Sequence, residues 1–168
     1  MSASVFDSGA AIGQRRAVIR RNGGDLEMVE LPWGLQPREP GGRAFTVVRA
    51  EERTFPDHRC LVPASEFRHR SRGKHYAFSL ADGDWFYFAG IWRPATREWP
   101  EAYAILTIKA NADVAPFHDR QMAVIRREQR MAWLDRTKRE HELLRPLPVG
   151  TFKARRTSAE RRQAELAF

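Results

Sequence analysis

Residues 75–92, HYAFSLADGDWFYFAGIW, decide the fold class of this chain. Two apolar, aromatic-rich runs, 75–80 and 85–92, lie on either side of the tetrapeptide ADGD at 81–84. Gly and Asp favour turns, while runs of six to eight aromatic and aliphatic residues are typical of buried β-strands. We therefore predict a β-hairpin here, with most of its aromatic side chains in the core.

Further short strands are predicted on both sides of this segment. The sequence NGG at 22–24 is a turn signal, and it separates 16–20 (RAVIR) from 26–31 (LEMVEL), which predicts an N-terminal hairpin. Three more strands are predicted at 44–49 (AFTVVR), at 60–67 with Pro63 marking a bend or an edge, and at 103–108 (YAILTI).

Helical patterns occur mainly late in the chain. Residues 128–134 place Met131 and Leu134 on one side of a helix, and a second helix is predicted over 137–144, ending before Pro146. From Lys153 onward the chain is highly charged and is interpreted as a loose helix. We predict one compact, β-rich α+β domain over residues 1–150, with mixed antiparallel sheets and a few peripheral helices, followed by a charged tail over 151–168.

Composition restricts the class of protein and of partner. The chain has 29 Lys and Arg against 21 Asp and Glu, a formal net charge of +8, which suits a polyanionic partner. The alternative is an Arg-rich solvated surface without such a partner. No apolar run approaches the roughly 20 residues of a membrane span, so we expect a soluble, cytoplasmic protein. Cys60 is the only cysteine, which excludes an internal disulfide, and its apolar neighbours predict a buried thiol.

A set of short motifs occurs in a fixed order along the chain. They are WGLQP at 33–37, VVRAE at 47–51, RCLVPASEF at 59–67, FAGIW at 88–92 followed by HDRQMAVI at 118–125, and WL at 133–134. Each is weak alone, but in this order and at this spacing they resemble the motifs of the SRAP family, the SOS response-associated peptidases or abasic site processing proteins.

The resemblance implies a β-rich single domain, with no cofactor or metal, acting as a monomer on single-stranded DNA with or without abasic sites. In the family, an N-terminal cysteine exposed by removal of Met condenses with the aldehyde of an abasic site to form a thiazolidine. A Glu and a His assist proton transfer, and an Asn positions the reacting group. The word peptidase refers to self-removal of the initiator region.

Carried over residue by residue, the resemblance assigns four residues to DNA binding: Arg49, Arg120, Trp33 and Pro37. The two arginines are expected to hold phosphates, and Trp33 and Pro37 are expected to lie against displaced bases. Each interpretation has an alternative: a salt bridge to Glu51 or Glu52 for Arg49, and a place in the core for Trp33.

The resemblance assigns a proton-transfer role to His118, for which the alternative is an ordinary surface-loop histidine. Three family positions differ: Ser2 stands where the family has Cys, Val47 where it has Asn, and His69 where it has Glu. His69 retains the capacity to move a proton, or else it is a solvated residue of a basic turn. Glu66 is a poor substitute, because residues 66 and 69 of a continuous strand point to opposite faces.

Ser2 would also be uncovered by removal of Met, but its hydroxyl gives an oxazolidine, which hydrolyses more readily than a thiazolidine. The stretch before Trp33 is also shorter than is usual in the family. Either translation starts upstream, or this copy has lost its nucleophile. The candidate catalytic residues are therefore His118, His69 and Ser2.

Three functional hypotheses follow. The first is an SRAP enzyme that captures abasic sites covalently in the DNA damage (SOS) response. The second is a weakened SRAP-like module that binds single-stranded DNA without the covalent step. The third, a metal-dependent hydrolase using His58, His69, His75 and His118, is disfavoured because these residues lack the spacing of known metal motifs and no carboxylates cluster with them.

Overall fold

The computed structural model describes the backbone of residues 5–7 and the whole of residues 12–158. Over these residues the strands are β1 Val5–Asp7, β2 Arg15–Asn22, β3 Asp25–Pro32, β4 Val47–Arg49, β5 Arg59–Ala64, β6 Glu66–Ser71, β7 Lys74–Leu80, β8 Phe86–Arg93, β9 Ala102–Lys109, β10 Arg120–Met122, β11 Val124–Arg126 and β12 Phe152–Thr157. The helices are α1 Arg130–Leu134, preceded by a 3-10 turn at Arg127–Gln129, and α2 Glu140–Leu143. The predicted β-rich α+β fold is confirmed. No helix in the described part of the chain is long and apolar enough to cross a membrane.

The strands form two sheets. Sheet A has the order β1-β6-β7-β12, and sheet B has the order β10-β9-β8-β5-β2-β3, with β11 paired to β8 and β4 paired to β9. The pairs β1–β6 and β4–β9 are parallel, and the other pairs are antiparallel. The predicted mixture of antiparallel sheets is therefore present, with two short parallel additions.

Sheet B is apolar on both faces, which explains the dense aromatic sequence of β8. Successive residues of a strand point to opposite faces, so Phe86 and Phe88 enter the core between the two sheets, while Tyr87 and Ile91 enter a second cluster. The second cluster is closed by residues of the helices, Trp133, Leu134 and Leu143. We call the side of sheet B that faces sheet A the inner face and the side that carries the helices the outer face.

The N-terminal hairpin is confirmed. β2 and β3 pair from Arg15↔Pro32 to Asn22↔Asp25, which leaves Gly23 and Gly24 as a two-residue turn. Their φ angles are 62° and 92°, in the left-handed region that glycine adopts without steric cost.

The hairpin predicted over 75–92 is wrong, although both of its strands exist. β7 pairs with β6 and β12 in sheet A, whereas β8 pairs with β5, β9 and β11 in sheet B, so the turn at 81–84 carries the chain from one sheet to the other. The true partner of β7 is β6, through a turn at Arg72 and Gly73 with φ of 51° and 75°. Local turn chemistry marks where a strand ends, but it does not select which strand becomes its neighbour.

The end of the chain also differs from the prediction. The first helix is confirmed. The second covers only Glu140–Leu143, which is a single turn, and is therefore shorter than the predicted range. The helix predicted from Lys153 onward is wrong as far as Thr157. Residues 152–157 form strand β12, which pairs with β7 along its whole length. Phe152 at its start is buried against Phe67, at a ring-centroid distance of 5.4 Å. Sheet A therefore continues past residue 150, because burial of Phe152 anchors the segment despite its charge.

Candidate functional site

The structure brings His69 and His118 into contact. The alternation of β6 places His69 on the same side as Phe67, towards the core, while His118 ends the loop that leads into β10. The two imidazole rings are stacked, with centroids 4.6 Å apart and planes inclined by 19°. Two residues 49 positions apart in the sequence, both candidates for proton transfer, thus form one pair.

His118 is held at the open end of this pair by its own loop. Its backbone N–H donates to the carbonyl of Val114 (3.0 Å), and the backbone N–H of Arg120 donates to its Nδ1 (3.0 Å). Nδ1 also lies 2.9 Å from the carbonyl oxygen of Arg120, so whether it donates or accepts depends on the tautomer of the ring. The side chain is 42% exposed, so part of the ring is open to solvent.

His69 forms the closed end of the pair. Its ring packs edge-on against Phe67 and Phe78, with centroid distances of 5.7 and 5.8 Å. Its Nε2 is shielded from solvent and has no hydrogen-bond partner among the described residues. Burial, with the neighbouring His118 as a smaller cause, lowers the pKa of His69 to about 4. The ring is therefore neutral near pH 7, with a buried nitrogen that has not been satisfied.

Glu66 lies on the opposite face of β6, as the alternation of the strand predicts. Its carboxylate accepts hydrogen bonds from Arg68 (3.2 Å) and Arg155 (2.8 Å). The cations around Glu66 are thus supplied by sheet A itself, and the carboxylate of Glu66 does not lie on the face of β6 that carries His69.

Arg120 is fixed by its neighbours. Its guanidinium pairs with both oxygens of Glu51, one of them at 3.0 Å from Nη2, and Nη2 also donates to Thr107 Oγ1 at 2.9 Å. The hydrogen bonds from Arg120 are the main cause that lowers the pKa of Glu51. A phosphate at this position would meet an oriented guanidinium whose charge is partly balanced by a carboxylate.

Arg49 differs from Arg120 in having no carboxylate partner among the residues that the structure describes. Its side chain is exposed, and Glu51, which was one of its predicted partners, pairs with Arg120 instead. In the parallel β4–β9 ladder, Arg49 lies opposite Thr107 and Val47 lies opposite Ile105. Because Ile105 belongs to the core between the sheets, Val47 and Arg49 both project from the inner face, beside the Thr107–Arg120 contact.

Sheet A adds a second basic border next to His69. Tyr76 pairs with His69 on one side and with Arg156 on the other, and its ring contacts Phe117, the neighbour of His118, at 4.6 Å. Arg156 and Lys74 are exposed, without a carboxylate partner in the described part of the chain. Neither residue was predicted as a site residue, because their place here depends on the pairing of β12 with β7.

The remaining predicted residues lie elsewhere. Trp33 is 3% exposed within the core, and its Nε1 donates to the carbonyl of Thr46 at 2.8 Å, which leaves no ring face for a base. Pro37 is half-buried in the loop between β3 and β4. Ser2 lies outside the described residues, but β1, which follows it, runs beside β6 with Val5 opposite Glu66.

Two other predicted features concern cysteine and metal. Cys60 is fully buried in the core, and burial raises the pKa of its thiol, so it is chemically inert. Within residues 5–7 and 12–158, no group of three or more His, Cys, Asp or Glu side chains is arranged to hold a metal ion.

Comparison with known proteins agrees with this architecture. Residues 8–161 match the family described as SOS response associated peptidase, SRAP. The chain belongs to the SRAP family. No curated protein matches it.

Solved structures show the same fold at low sequence identity. A protein from Bacteroides thetaiotaomicron is 20% identical with a TM-score of 0.70, over 90% of this chain and 77% of that one. A protein from Bordetella bronchiseptica is 19% identical with a TM-score of 0.68, over 92% of both chains. A phage-related protein from the same organism is 21% identical with a TM-score of 0.68, over 87% of this chain and 79% of that one.

Proposed function

We propose that this chain is an abasic site processing protein of the DNA damage (SOS) response, which binds single-stranded DNA beside the His69–His118 pair. The observation that carries the proposal is this pair, open to solvent at His118 and bordered by cationic side chains from both sheets. We call this region the histidine groove; it consists of Arg49, His69, Lys74, His118, Arg120 and Arg156.

The charge of the groove suits a phosphate backbone. Arg49 projects from sheet B, and Lys74 and Arg156 project from sheet A, all exposed and without carboxylate partners among the described residues. Cations that are not neutralised within the protein gain most from replacing the counterions of DNA. The oriented guanidinium of Arg120 adds a donor fork that is suited to phosphate oxygens.

The histidine pair is suited to the aldehyde of an abasic site, which has no base to fill the space. Neutral His69 offers a buried nitrogen without a hydrogen-bond partner among the described residues, and the partly exposed ring of His118 lies on its solvent side. Together the two rings allow a proton to be accepted and donated next to a reacting carbonyl. This assigns proton transfer to His118 and His69, in the positions where the family has His and Glu.

Covalent capture would use Ser2 as the nucleophile. The amine of Ser2 would add to the aldehyde and lose water to give an imine, and the hydroxyl would then add to the imine carbon to close an oxazolidine. The parallel pairing of β1 with β6 places residues 5–7 beside the strand that carries His69, with Asp7 opposite Arg68, while Ser2 itself lies outside the described residues.

A second candidate is binding of single-stranded DNA without the covalent step. It is favoured by Val47, which is 42% exposed on the inner face, where the family has Asn. Valine cannot hydrogen-bond a reacting group through its side chain, so the groove would hold the DNA but lack one of the groups that position the aldehyde.

The experiment that tests both candidates uses one oligonucleotide with a central abasic site and one with an intact base. The protein is incubated with each, and the products are separated on native and denaturing gels, with and without heating. A heat-labile band on denaturing gels, seen only with abasic DNA and reduced by Ser2→Ala, supports capture. Salt-sensitive retention on native gels alone supports the second candidate, and no retention of either oligonucleotide at low salt contradicts both.

A further inference from the structure

A concave site lies on the outer face of sheet B, away from the histidine pair. It is a cleft of about 800 Å³, within the size range of ligand sites in proteins. Its floor is apolar and includes Leu35, Val48 and Ile91. Val48 and Arg49 are adjacent residues of β4 and therefore project from opposite faces of the strand. The cleft and the histidine groove are thus separated by β4.

One wall of the cleft is fixed by a buried arginine. Arg59, 7% exposed, donates from Nε to the carbonyl of Phe55 (2.8 Å) and from Nη2 to Glu140 (2.8 Å). The carboxylate of Glu140 also accepts the backbone N–H of Phe55 at 2.9 Å. The segment that carries Arg53 and Phe55 along the cleft is therefore held in place.

The opposite wall is fixed by the loop between β8 and β9. Trp99 donates from Nε1 to the carbonyl of Gly34 (3.0 Å), and its own carbonyl accepts the backbone N–H of Thr96 (2.8 Å). Gln36 hydrogen-bonds both Thr96 and Glu98. Both walls are held by hydrogen bonds within the protein, so binding would cost little ordering of the protein.

Three guanidinium groups border this apolar cleft. Arg38 lies over the ring of Phe45, with Cζ 4.9 Å from its centroid, and Arg93 donates to the carbonyl of Trp92 at 2.9 Å. Arg53 completes the set. All three are exposed, and none has a carboxylate partner among the described residues. An apolar floor bordered by unneutralised cations is complementary to a ligand with an apolar side chain between carboxylates.

We propose that this cleft binds a short acidic peptide segment of another protein, which inserts an apolar side chain between the walls and places carboxylates against Arg38, Arg53 and Arg93. Single-stranded DNA fits the cleft less well, because bases require exposed aromatic faces for stacking. Phe55 is 6% exposed and the face of Phe45 is covered by Arg38, which leaves half-buried Trp99, tied to Gly34 through its Nε1, as the one other aromatic residue of the lining.

The test measures binding of fluorescein-labelled hexapeptides to the full chain by fluorescence anisotropy. The probe is DDLFDD, and the two control peptides are NNLFNN, which lacks the carboxylates, and DDAADD, which lacks the apolar anchors. The protein variants are Arg53→Glu and Arg93→Glu, with Lys153→Glu on the exposed strand β12 as the control of equal charge change. Far-UV circular dichroism verifies that each variant is folded.

The proposal expects DDLFDD to bind more tightly than either control peptide, and each cleft variant to weaken it about tenfold, the effect of roughly 1.4 kcal/mol. Lys153→Glu should leave binding unchanged. Absence of binding, equal binding of the three peptides, or equal loss in Lys153→Glu overturns the proposal. A competition experiment gives a further contradicting outcome. If single-stranded DNA displaces the peptide, and still does so in the histidine-groove variant Arg49→Glu, the cleft is a nucleic-acid site and the proposal is overturned.

Discussion

His69 is neutral near pH 7 because its ring lies against Phe67, Phe78 and His118, where a charge would be poorly solvated. Where the resemblance to the SRAP family implies a carboxylate, this chain therefore has a ring without charge. His69 can accept a proton only at the cost of burying the resulting charge.

The lowered pKa of His69 predicts a pH dependence of stability. Between pH 6.5 and about 4, the unfolded chain binds a proton at this residue that the folded chain does not. The free energy of unfolding should therefore fall as the pH falls through this window, by up to about 3 kcal/mol from this group. Urea unfolding at pH 7 and pH 4.5 measures the loss, and His69→Phe should show a smaller loss than the wild type. An equal loss in both proteins would contradict the assigned environment of His69.

The exposed position of Arg49 predicts its effect on DNA binding. Arg49→Ala should weaken binding of single-stranded oligonucleotides of any sequence and reduce the slope of log affinity against log salt by about 0.7, the value for one phosphate contact. Anisotropy titrations at several salt concentrations measure this slope. The matched control is Arg130→Ala on α1, behind the outer face of sheet B. If the two variants lower the slope alike, the effect is one of net charge and not of the groove.

At the scale of elements, β12 anchors the C-terminal segment through Phe152, which is 5% exposed. Phe152→Ala should lower the free energy of unfolding by about 3–5 kcal/mol, because it removes a buried ring from the core. Lys153→Ala, the adjacent exposed residue, should change it by less than about 0.5 kcal/mol. Chemical denaturation compares the two variants. If Phe152→Ala left the free energy of unfolding unchanged, the segment would be a tail that does not contribute to the core.

Gly90 determines how closely β8 approaches its neighbours. A Cβ at this position would lie 2.8 Å from Cys60 Sγ and 3.0 Å from the carbonyl oxygen of Ala104. Gly90→Ala should therefore destabilise the fold by about 1–3 kcal/mol through overpacking. In a Cys60→Ala background the penalty should be smaller, because one of the two contacts is removed. A double-mutant cycle by urea unfolding gives this coupling, and additive effects would rule out the Cys60 contact as a cause.

Sequence patterns predicted where the strands lie better than which strands pair with each other. The N-terminal hairpin was predictable, since Gly23 and Gly24 provide a turn between adjacent strands. The sheet change at 81–84 was not, because apolar runs on both sides of a turn look the same whether they pair with each other or with distant strands. The strand 152–157 was missed because only Phe152 and Thr157 are buried in an otherwise charged segment.

The candidate site was predictable only in part, for the same reason. The motifs identified Arg49, His69, His118 and Arg120 as single residues, but contact between the histidines depends on how the sheets lie against each other. Lys74 and Arg156 enter the groove through the β6–β7–β12 pairing, which no local pattern specifies. The prediction for Trp33 had two alternatives, and its 3% exposure fits the core interpretation.

At the scale of the whole molecule, two sheets enclose one core, and exposed cationic side chains from both sheets lie around the His69–His118 pair. The protein's net charge of +8 would attract duplex and single-stranded DNA alike at long range. Under the proposed function, selection of single strands would therefore depend on the local arrangement of Arg49, Arg120 and Arg156 and not on net charge.

The most direct test of this account measures the affinity of the purified protein for three labelled DNAs of equal length by anisotropy at several salt concentrations. These are a single strand with a central abasic site, the same strand with an intact base, and its duplex. The account predicts salt-dependent binding with the abasic strand bound most tightly, the intact strand next and the duplex most weakly, and it predicts that Arg49→Ala reduces the first two. Equal affinity for the three DNAs, or no binding at low salt, would contradict it.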